Sequence, residues 1–350
     1  MGRRFHKLMV ILLLVTSPLD LVYAQELRQI LDLKGRWKFE LGDNPEWADP
    51  ACNDSKWDII YVPSRWEEEG YPGYDGYAWY RKHFRIENSL RENPLYLRMG
   101  YIDDVAEVYL NGTLIGYSGR FPPKFYTGAG VAQQYLVPKE LLRYGSENII
   151  AVRVYDHYQA GGIVRGDVGL YELENYLKPD YDLSGNWKFT TGDDRKWAED
   201  NFDDSQWQNL RVPASWDMQG YRDFDGFAWY RMRFRIPVNL RGHVLTLLLG
   251  KIDDVDETYL NGELIGRTGR MYSGIGKEDL STEWLQPRAY VIPPSLLRLD
   301  EENTLAVRVC DVWLHGGIYD GPIGLVKKDR YTSWKRKSRS IWDILRLLFE

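Results

Sequence analysis

Hydrophobic and polar positions alternate along much of this chain. Trp37 and Phe39 interleave with Arg36 and Lys38, Ala78-Trp-Tyr-Arg-Lys-His-Phe-Arg-Ile86 alternates similarly, and Leu95-Tyr-Leu-Arg-Met99 follows. A period of two marks strands with one buried face. Asn148-Ile-Ile-Ala-Val-Arg-Val-Tyr155 and Asn303-Thr-Leu-Ala-Val-Arg-Val-Cys310 are near-continuous β-rich runs, as sandwich cores contain. Residues 105–110 meet Thr113-Leu-Ile115 through Asn111-Gly112, a dipeptide that readily takes positive φ and closes a two-residue hairpin; Asn261-Gly262 repeats it. The strongest helical signals are short, at 138–143 and 293–298, each with proline near its first turn. Many short strands and almost no helix predict an all-β sandwich architecture.

The pattern is written twice. Residues 62–86 (VPSRWEEEGYPGYDGYAWYRKHFRI) return at 212–236 (VPASWDMQGYRDFDGFAWYRMRFRI), 150 positions later. The same offset joins Gly35-Arg-Trp-Lys-Phe to Gly185-Asn-Trp-Lys-Phe, Asp54-Ser-Lys-Trp57 to Asp204-Ser-Gln-Trp207, and Ile102-Asp-Asp-Val105 to Ile252-Asp-Asp-Val255. Solenoid units run to about 20–50 residues, so this period is a whole domain. Two copies are expected, at 25–177 and 178–330, on a chain whose 350 residues suit two domains. The tryptophan pairs 37/187, 47/197, 57/207, 66/216 and 79/229 then read as architecture rather than ligand contacts. From Tyr135 and Tyr290 the offset becomes 155, which puts five extra residues of copy two in a surface loop between Arg270 and Tyr290. That loop holds Met271, Tyr272 and Trp284 where copy one has Phe121, Phe125 and Tyr126.

Charge and termini narrow the partners. The formal charge is −6, or −8 without residues 1–24, and no basic stripe precedes the C-terminus, so nucleic acid is not an expected partner. Residues 1–24 read as a secretory signal: Arg3, Arg4 and Lys7, an apolar run to Val15, then Val22-Tyr-Ala24 before Gln25. An exported chain is expected. Cys52 aligns with Phe202 and Cys310 with Tyr155, so both are expected at buried apolar positions in separate domains, unbridged. Residues 331–350 form a basic amphipathic tail in which Lys335-Arg-Lys-Ser-Arg339 precedes Ile341, Leu345 and Leu348 on one helical face. This short helix either contacts an anionic membrane or a partner through 335–349, or docks on its own sandwich.

The ordered motifs Gly-x-Trp-Lys-Phe, Asp-Ser-x-Trp, Val-Pro-x-x-Trp, Asp-Gly-x-Ala-Trp-Tyr-Arg, Tyr-Leu-Asn-Gly-x-Leu-Ile-Gly, Glu-Asn-x-x-Ala-Val-Arg-Val and Gly-Gly-Ile resemble the N-terminal sugar-binding domain of family 2 glycoside hydrolases, the β-galactosidases and β-glucuronidases. The Ile-Asp-Asp-Val and Asp-x-x-x-x-Gly-Gly-Ile stretches also resemble the related module of sialate O-acetylesterases. The resemblance covers nearly all of residues 30–330, twice, and implies two tandem galactose-binding-like jelly rolls. Family 2 enzymes do their chemistry on a following (β/α)₈ barrel with two glutamates, and no such βα alternation occurs in this sequence.

Inside the chain, catalytic chemistry finds little support. Asp103-Asp104 and Asp253-Asp254 are the tempting carboxylate pairs, but neighbours on a strand point to opposite faces and cannot converge on one glycosidic bond. They are expected to cap turns or pair with arginines such as Arg81 and Arg231. No Gly-x-Ser-x-Gly elbow and no His- or Cys-based metal spacing occurs. No cofactor is expected, although the resemblance leaves room for a structural Ca²⁺ held by loop aspartates and backbone carbonyls. Sugar recognition needs an aromatic face and a few fixed hydrogen-bonding groups. The expected site residues are Asp156 and Tyr158 before Gly161-Gly162, Asp311 and Trp313 before Gly316-Gly317, with Tyr74, Asp75, Asp225, Arg120 and Arg270 on flanking loops. The glycines are expected to let backbone approach the ligand. In the family this region contributes to substrate contacts, so Asp156 and Asp311 carry the implied role. The favoured expectation is a non-catalytic tandem binder of oligo- or polysaccharides working with a separate glycoside hydrolase; the alternatives are an accessory subunit or fragment of such a hydrolase and a protein-interaction scaffold.

Overall fold

A computed structural model describes residues 27–349 apart from 92, 272–279 and 281. The predicted leader, Tyr272 and the side chains of Ile341, Leu345 and Leu348 lie outside the described residues.

In copy one the strands are β1 (Leu27–Asp32), β2 (Gly35–Leu41), β3 (Asp58–Val62), β4 (Gly76–Arg85), β5 (Leu95–Asp103), β6 (Val105–Leu110), β7 (Thr113–Ser118), β8 (Ala132–Val137), β9 (Glu147–Asp156) and β10 (Gly162–Leu173). They form a four-stranded sheet in the order β1-β10-β5-β8 and a six-stranded sheet in the order β3-β2-β4-β9-β6-β7. Copy two continues with β11 (Tyr181–Asp182), β12 (Gly185–Thr191), β13 (Gln208–Val212), β14 (Gly226–Arg235), β15 (Leu245–Asp253), β16 (Val255–Leu260), β17 (Glu263–Thr268), β18 (Pro287–Val291), β19 (Glu302–Asp311) and β20 (Gly317–Lys327). Its sheets run β11-β20-β15-β18 and β13-β12-β14-β19-β16-β17, the same connectivity strand for strand. The fold is all-β, two tandem sandwiches followed by one helix, as the repeat predicts.

Between the sheets of copy one lie Trp37, Phe39, Trp66, Tyr80, Leu97 and Val152; in copy two their counterparts are Trp187, Phe189, Trp216, Tyr230, Leu247 and Val307. The central strand β4 is buried on both faces. Ala78 and Tyr80 enter the main core, whereas Trp79 joins Ala48, Trp57 and Trp47 in a second layer on the far side of the sheet. Arg81 shares that outer layer and is fully buried. Its Nε donates to Asp54 at 2.8 Å and its Nη1 to the carbonyl oxygens of Trp47 and Asp49, tying the 42–57 loop to the sheet. Arg231 does the same to Asp204 (2.7 Å), Trp197 and Glu199. The arginine of Ala-Trp-Tyr-Arg thus pairs with the aspartate of Asp-Ser-x-Trp in both copies, and not with the Asp-Asp pairs.

Three local expectations need correction. The helical signals become single 3₁₀ turns, Lys139–Leu141 and Pro294–Leu296, because each has room for one turn before the next core strand starts. Cys52 is half-buried at the loop edge beside Trp57, while Cys310 is buried; both are free thiols. The tail helix α1 (Lys328–Phe349) is 22 residues long, not a short one, and continues directly from β20. Its first turns dock on copy two and on the end of copy one: Tyr331 and Trp334 cover Leu177, Leu248 and Val326, and Trp334 Nε1 donates to the Asn175 carbonyl at 2.8 Å. No described helix is long and apolar enough to cross a membrane.

Polar contacts join the copies. Tyr96 donates to Asp320 at 2.7 Å, Tyr117 to Asp217 at 3.0 Å, and Arg222 to Glu107 at 2.7 Å, with the Arg222 guanidinium 4.4 Å above the Tyr117 ring.

Candidate functional site

The strand register gathers acidic residues at one end of each sandwich. Gly76, which opens β4, pairs with Asp156, which closes β9; Asp103, which closes β5, pairs with Gly162, which opens β10. Copy two repeats this with Gly226 against Asp311 and Asp253 against Gly317. Three separate motifs therefore deliver Asp75, Asp103, Asp104 and Asp156 to one pole, and Asp225, Asp253, Asp254 and Asp311 to the other.

Asp156 and Asp311 are not displayed to solvent. They are 0% and 1% exposed. Each Oδ1 accepts the backbone N–H two residues on, Tyr158 at 3.2 Å and Trp313 at 3.1 Å, and so shapes the loop that carries the aromatic ring. The rings are accessible: Tyr158 is 70% exposed and Trp313 42%. Each Oδ2 is buried without a hydrogen-bond partner among the described residues. Burial pushes the Asp156 carboxyl up to about 7; the Tyr158 N–H opposes this, and Asp104, Asp75 and Asp103 reinforce it. Asp311 is pushed up to about 8 by burial, against the Trp313 N–H, with Asp254, Asp225 and Asp217 adding to the rise.

The Asp-Asp pairs depart from the strand argument. Both peptides, Asp103-Asp104 and Asp253-Asp254, are cis. In each pair the second carboxylate pushes the first upward, and in copy two oxygens of Asp253 and Asp254 lie within 4.8 Å of one another, so neighbours in sequence stand together. Asp103 is raised to about 6 by burial, then by the adjacent Asp104 carboxylate, with Arg65 opposing. The capping half of the expectation holds: Asp104 Oδ2 accepts the His157 N–H at 3.0 Å and Asp254 Oδ2 the Val312 N–H at 3.1 Å. The signal for this convergence was the recurrence of Asp-Asp in both copies, which strand alternation argued away.

The Gly-Gly pairs also differ from expectation. A Cβ on Gly161 would lie 1.9 Å from the Trp66 ring, and one on Gly316 2.1 Å from Trp216. Gly162 and Gly317 have φ of +108° and +102° and pass close to the hydroxyls of Tyr80 and Tyr230. The glycines are required by the core tryptophan beneath them. Gly161→Ala is expected to destabilise copy one by about 1–3 kcal/mol through overpacking, read as a lowered urea midpoint at unchanged slope.

The remaining candidates divide. Tyr74 is half-buried, donates to the Tyr77 carbonyl at 2.7 Å and packs its ring on Trp66, so it serves the loop. Asp75 and Asp225 are exposed at the poles. Arg120 of copy one reaches across the seam to Asp223, which sets its charge near Asp225. Arg270 is exposed, and no hydrogen bond among the described residues joins it to the others. Copy two's pole also borders a cleft of about 690 Å³ between the copies, lined by Tyr117, Tyr135, Arg211, Trp284, His315 and Tyr319.

A family model described as the second all-beta domain of beta-galactosidase matches residues 42–159. A beta-glucuronidase of Formosa agariphila is 30% identical over 143 residues, covering 35% of this chain and 13% of that protein. A beta-galactosidase of Priestia megaterium is 27% identical over 180 residues, covering 40% and 16%. A beta-galactosidase of Bacteroides ovatus is 26% identical over 159 residues, covering 41% and 17%. Among solved structures, a Bacteroides uniformis beta-glucuronidase aligns with 82% of this chain and 28% of its own at 19% identity and a TM-score of 0.36. The chain resembles domains of family 2 glycoside hydrolases and spans between 13% and 17% of the length of these three curated relatives.

Proposed function

We propose that this chain is an exported, non-catalytic carbohydrate-binding protein that engages an oligo- or polysaccharide through the poles of its two sandwiches. The observation that carries the reading is the pair Tyr158 and Trp313: two exposed rings at equivalent positions, each held by a buried aspartate two residues earlier. An exposed aromatic face beside polar rim groups suits the apolar side and the hydroxyls of a pyranose. Asp75, Asp225 and Arg120 supply polar groups at the rims.

A glycan array followed by calorimetry tests this. Saturable binding that Trp313→Ala weakens roughly tenfold or more supports it, with Tyr158→Ala reporting on copy one. Hydrolysis of a nitrophenyl glycoside by the purified chain defeats the non-catalytic reading. The small share of each relative that the chain spans favours a second reading, an accessory part of a family 2 hydrolase, in which a catalytic partner gains activity when this chain is added.

A further inference from the structure

The two poles are built from the same motifs but differ at one position beside the Asp-Asp pair. In copy one Arg65 stands beside Asp103 and offsets its carboxylate. The equivalent position in copy two is Ser215, 150 residues later, whose hydroxyl donates to Asp217. Copy two thus has a neutral hydroxyl where copy one has a cation, while Asp217 itself matches Glu67 of copy one.

Arg288 offsets Asp253 in part and donates to the Asp254 carbonyl at 2.7 Å, but the neighbouring guanidinium groups are all committed to other carboxylates. Arg288 is ion-paired to Asp256 at 2.9 Å, Arg222 to Glu107 at 2.7 Å, and Arg120 to Asp223. No ion pair among the described residues reaches Asp253, Asp254 or Asp311. Their ligand oxygens nevertheless all lie within 4.8 Å of one another. Asp311, 1% exposed, contributes a buried Oδ2 with no hydrogen-bond partner among the described residues. Asp217 and Asp225 add negative charge around it.

We infer that the pole of copy two binds a hard divalent cation of the calcium class on Asp253, Asp254 and Asp311. Oxygens on opposite sides of Ca²⁺ at about 2.4 Å each stand no more than about 4.8 Å apart, the spread found here. An all-carboxylate set excludes the softer metals that favour imidazole or thiolate. The ion completes the charge offset that Arg288 gives only in part, and it seats the loop that carries Trp313. The site is independent of any glycan and is tested without one.

The full chain is stripped with chelator and titrated with CaCl₂, following heat and unfolding temperature, with Tb³⁺ luminescence excited through tryptophan as a second readout. One saturable site is expected, with a rise of about 5–10 °C at hundredfold excess over the dissociation constant. Asp311→Asn removes a ligand charge without removing volume and abolishes the rise. Ser215→Arg installs copy one's guanidinium, keeps all three carboxylates, and also abolishes it. Asp156→Asn, in copy one, leaves it intact. The inference is overturned if the wild-type chain shows neither calcium heat nor terbium luminescence, which would mean that the carboxyls are held by shared protons alone. It is equally overturned if binding survives Asp311→Asn or is lost in Asp156→Asn.

Discussion

Asp204→Ala is expected to destabilise copy two by about 3–5 kcal/mol, the range for leaving a buried charge without its partner. Arg231 is fully buried, and Asp204 is the carboxylate its Nε contacts at 2.7 Å. Its Nη1 donates to the carbonyls of Trp197 and Glu199, which soften but do not neutralise the charge, while its Nη2 is buried with no hydrogen-bond partner among the described residues. Removing Asp204 also releases Arg233, whose Nη1 bonds both carboxylate oxygens at 2.7 and 2.9 Å. The loop held by this clamp roofs Trp229, so tryptophan fluorescence reports its loss. Next door, Asp203 is exposed and caps only the Ser205 N–H at 2.9 Å; Asp203→Ala is expected to cost under about 1 kcal/mol. Urea denaturation of the two variants separates a buried clamp from a surface turn. Equal, small effects would mean that packing of the tryptophans, and not the ion pair, holds the loop.

This clamp shows what the sequence could and could not tell. Both partners stood out because each recurs at the same offset, but their pairing did not: they lie 27 residues apart and meet only once β12 and β14 are hydrogen-bonded. The fold itself was legible because strand periodicity and the repeat are local signals, and the matched tryptophans announced the core. The acidic poles were not. Their members come from the ends of four different strands, and the rule that neighbouring strand residues diverge gave the wrong geometry at Asp103-Asp104, where the peptide is cis. The Gly161-Gly162 pair was assigned to a ligand because glycine permits close approach; the approaching group is the Trp66 ring, a contact set by tertiary packing. Tyr158 and Trp313, by contrast, were identified from sequence and are exposed, because their loop positions follow directly from where the Ala-Val-Arg-Val strands end.

The buried Asp156 gives the other large effect, and its sign follows from where the proton sits. Its folded carboxyl is pushed up to about 7, whereas an unfolded aspartate ionises near ~3.9. Below about pH 4 the group is protonated in both states and imposes no penalty. Between there and about 7 the unfolded chain releases the proton that the folded chain keeps, so stability falls as pH rises; above 7 the full penalty is present. Asn keeps the oxygen that accepts the Tyr158 N–H and cannot ionise. Asp156→Asn is therefore expected to match the wild type near pH 4 and to exceed it by on the order of 3–4 kcal/mol at pH 8.5, in chelator-treated buffer. Urea midpoints across that range read the difference directly. A variant less stable than the wild type at alkaline pH would mean that the ionised carboxylate is held by a positive group at this pole, and that the loop bearing Tyr158 depends on charge rather than on a hydrogen bond.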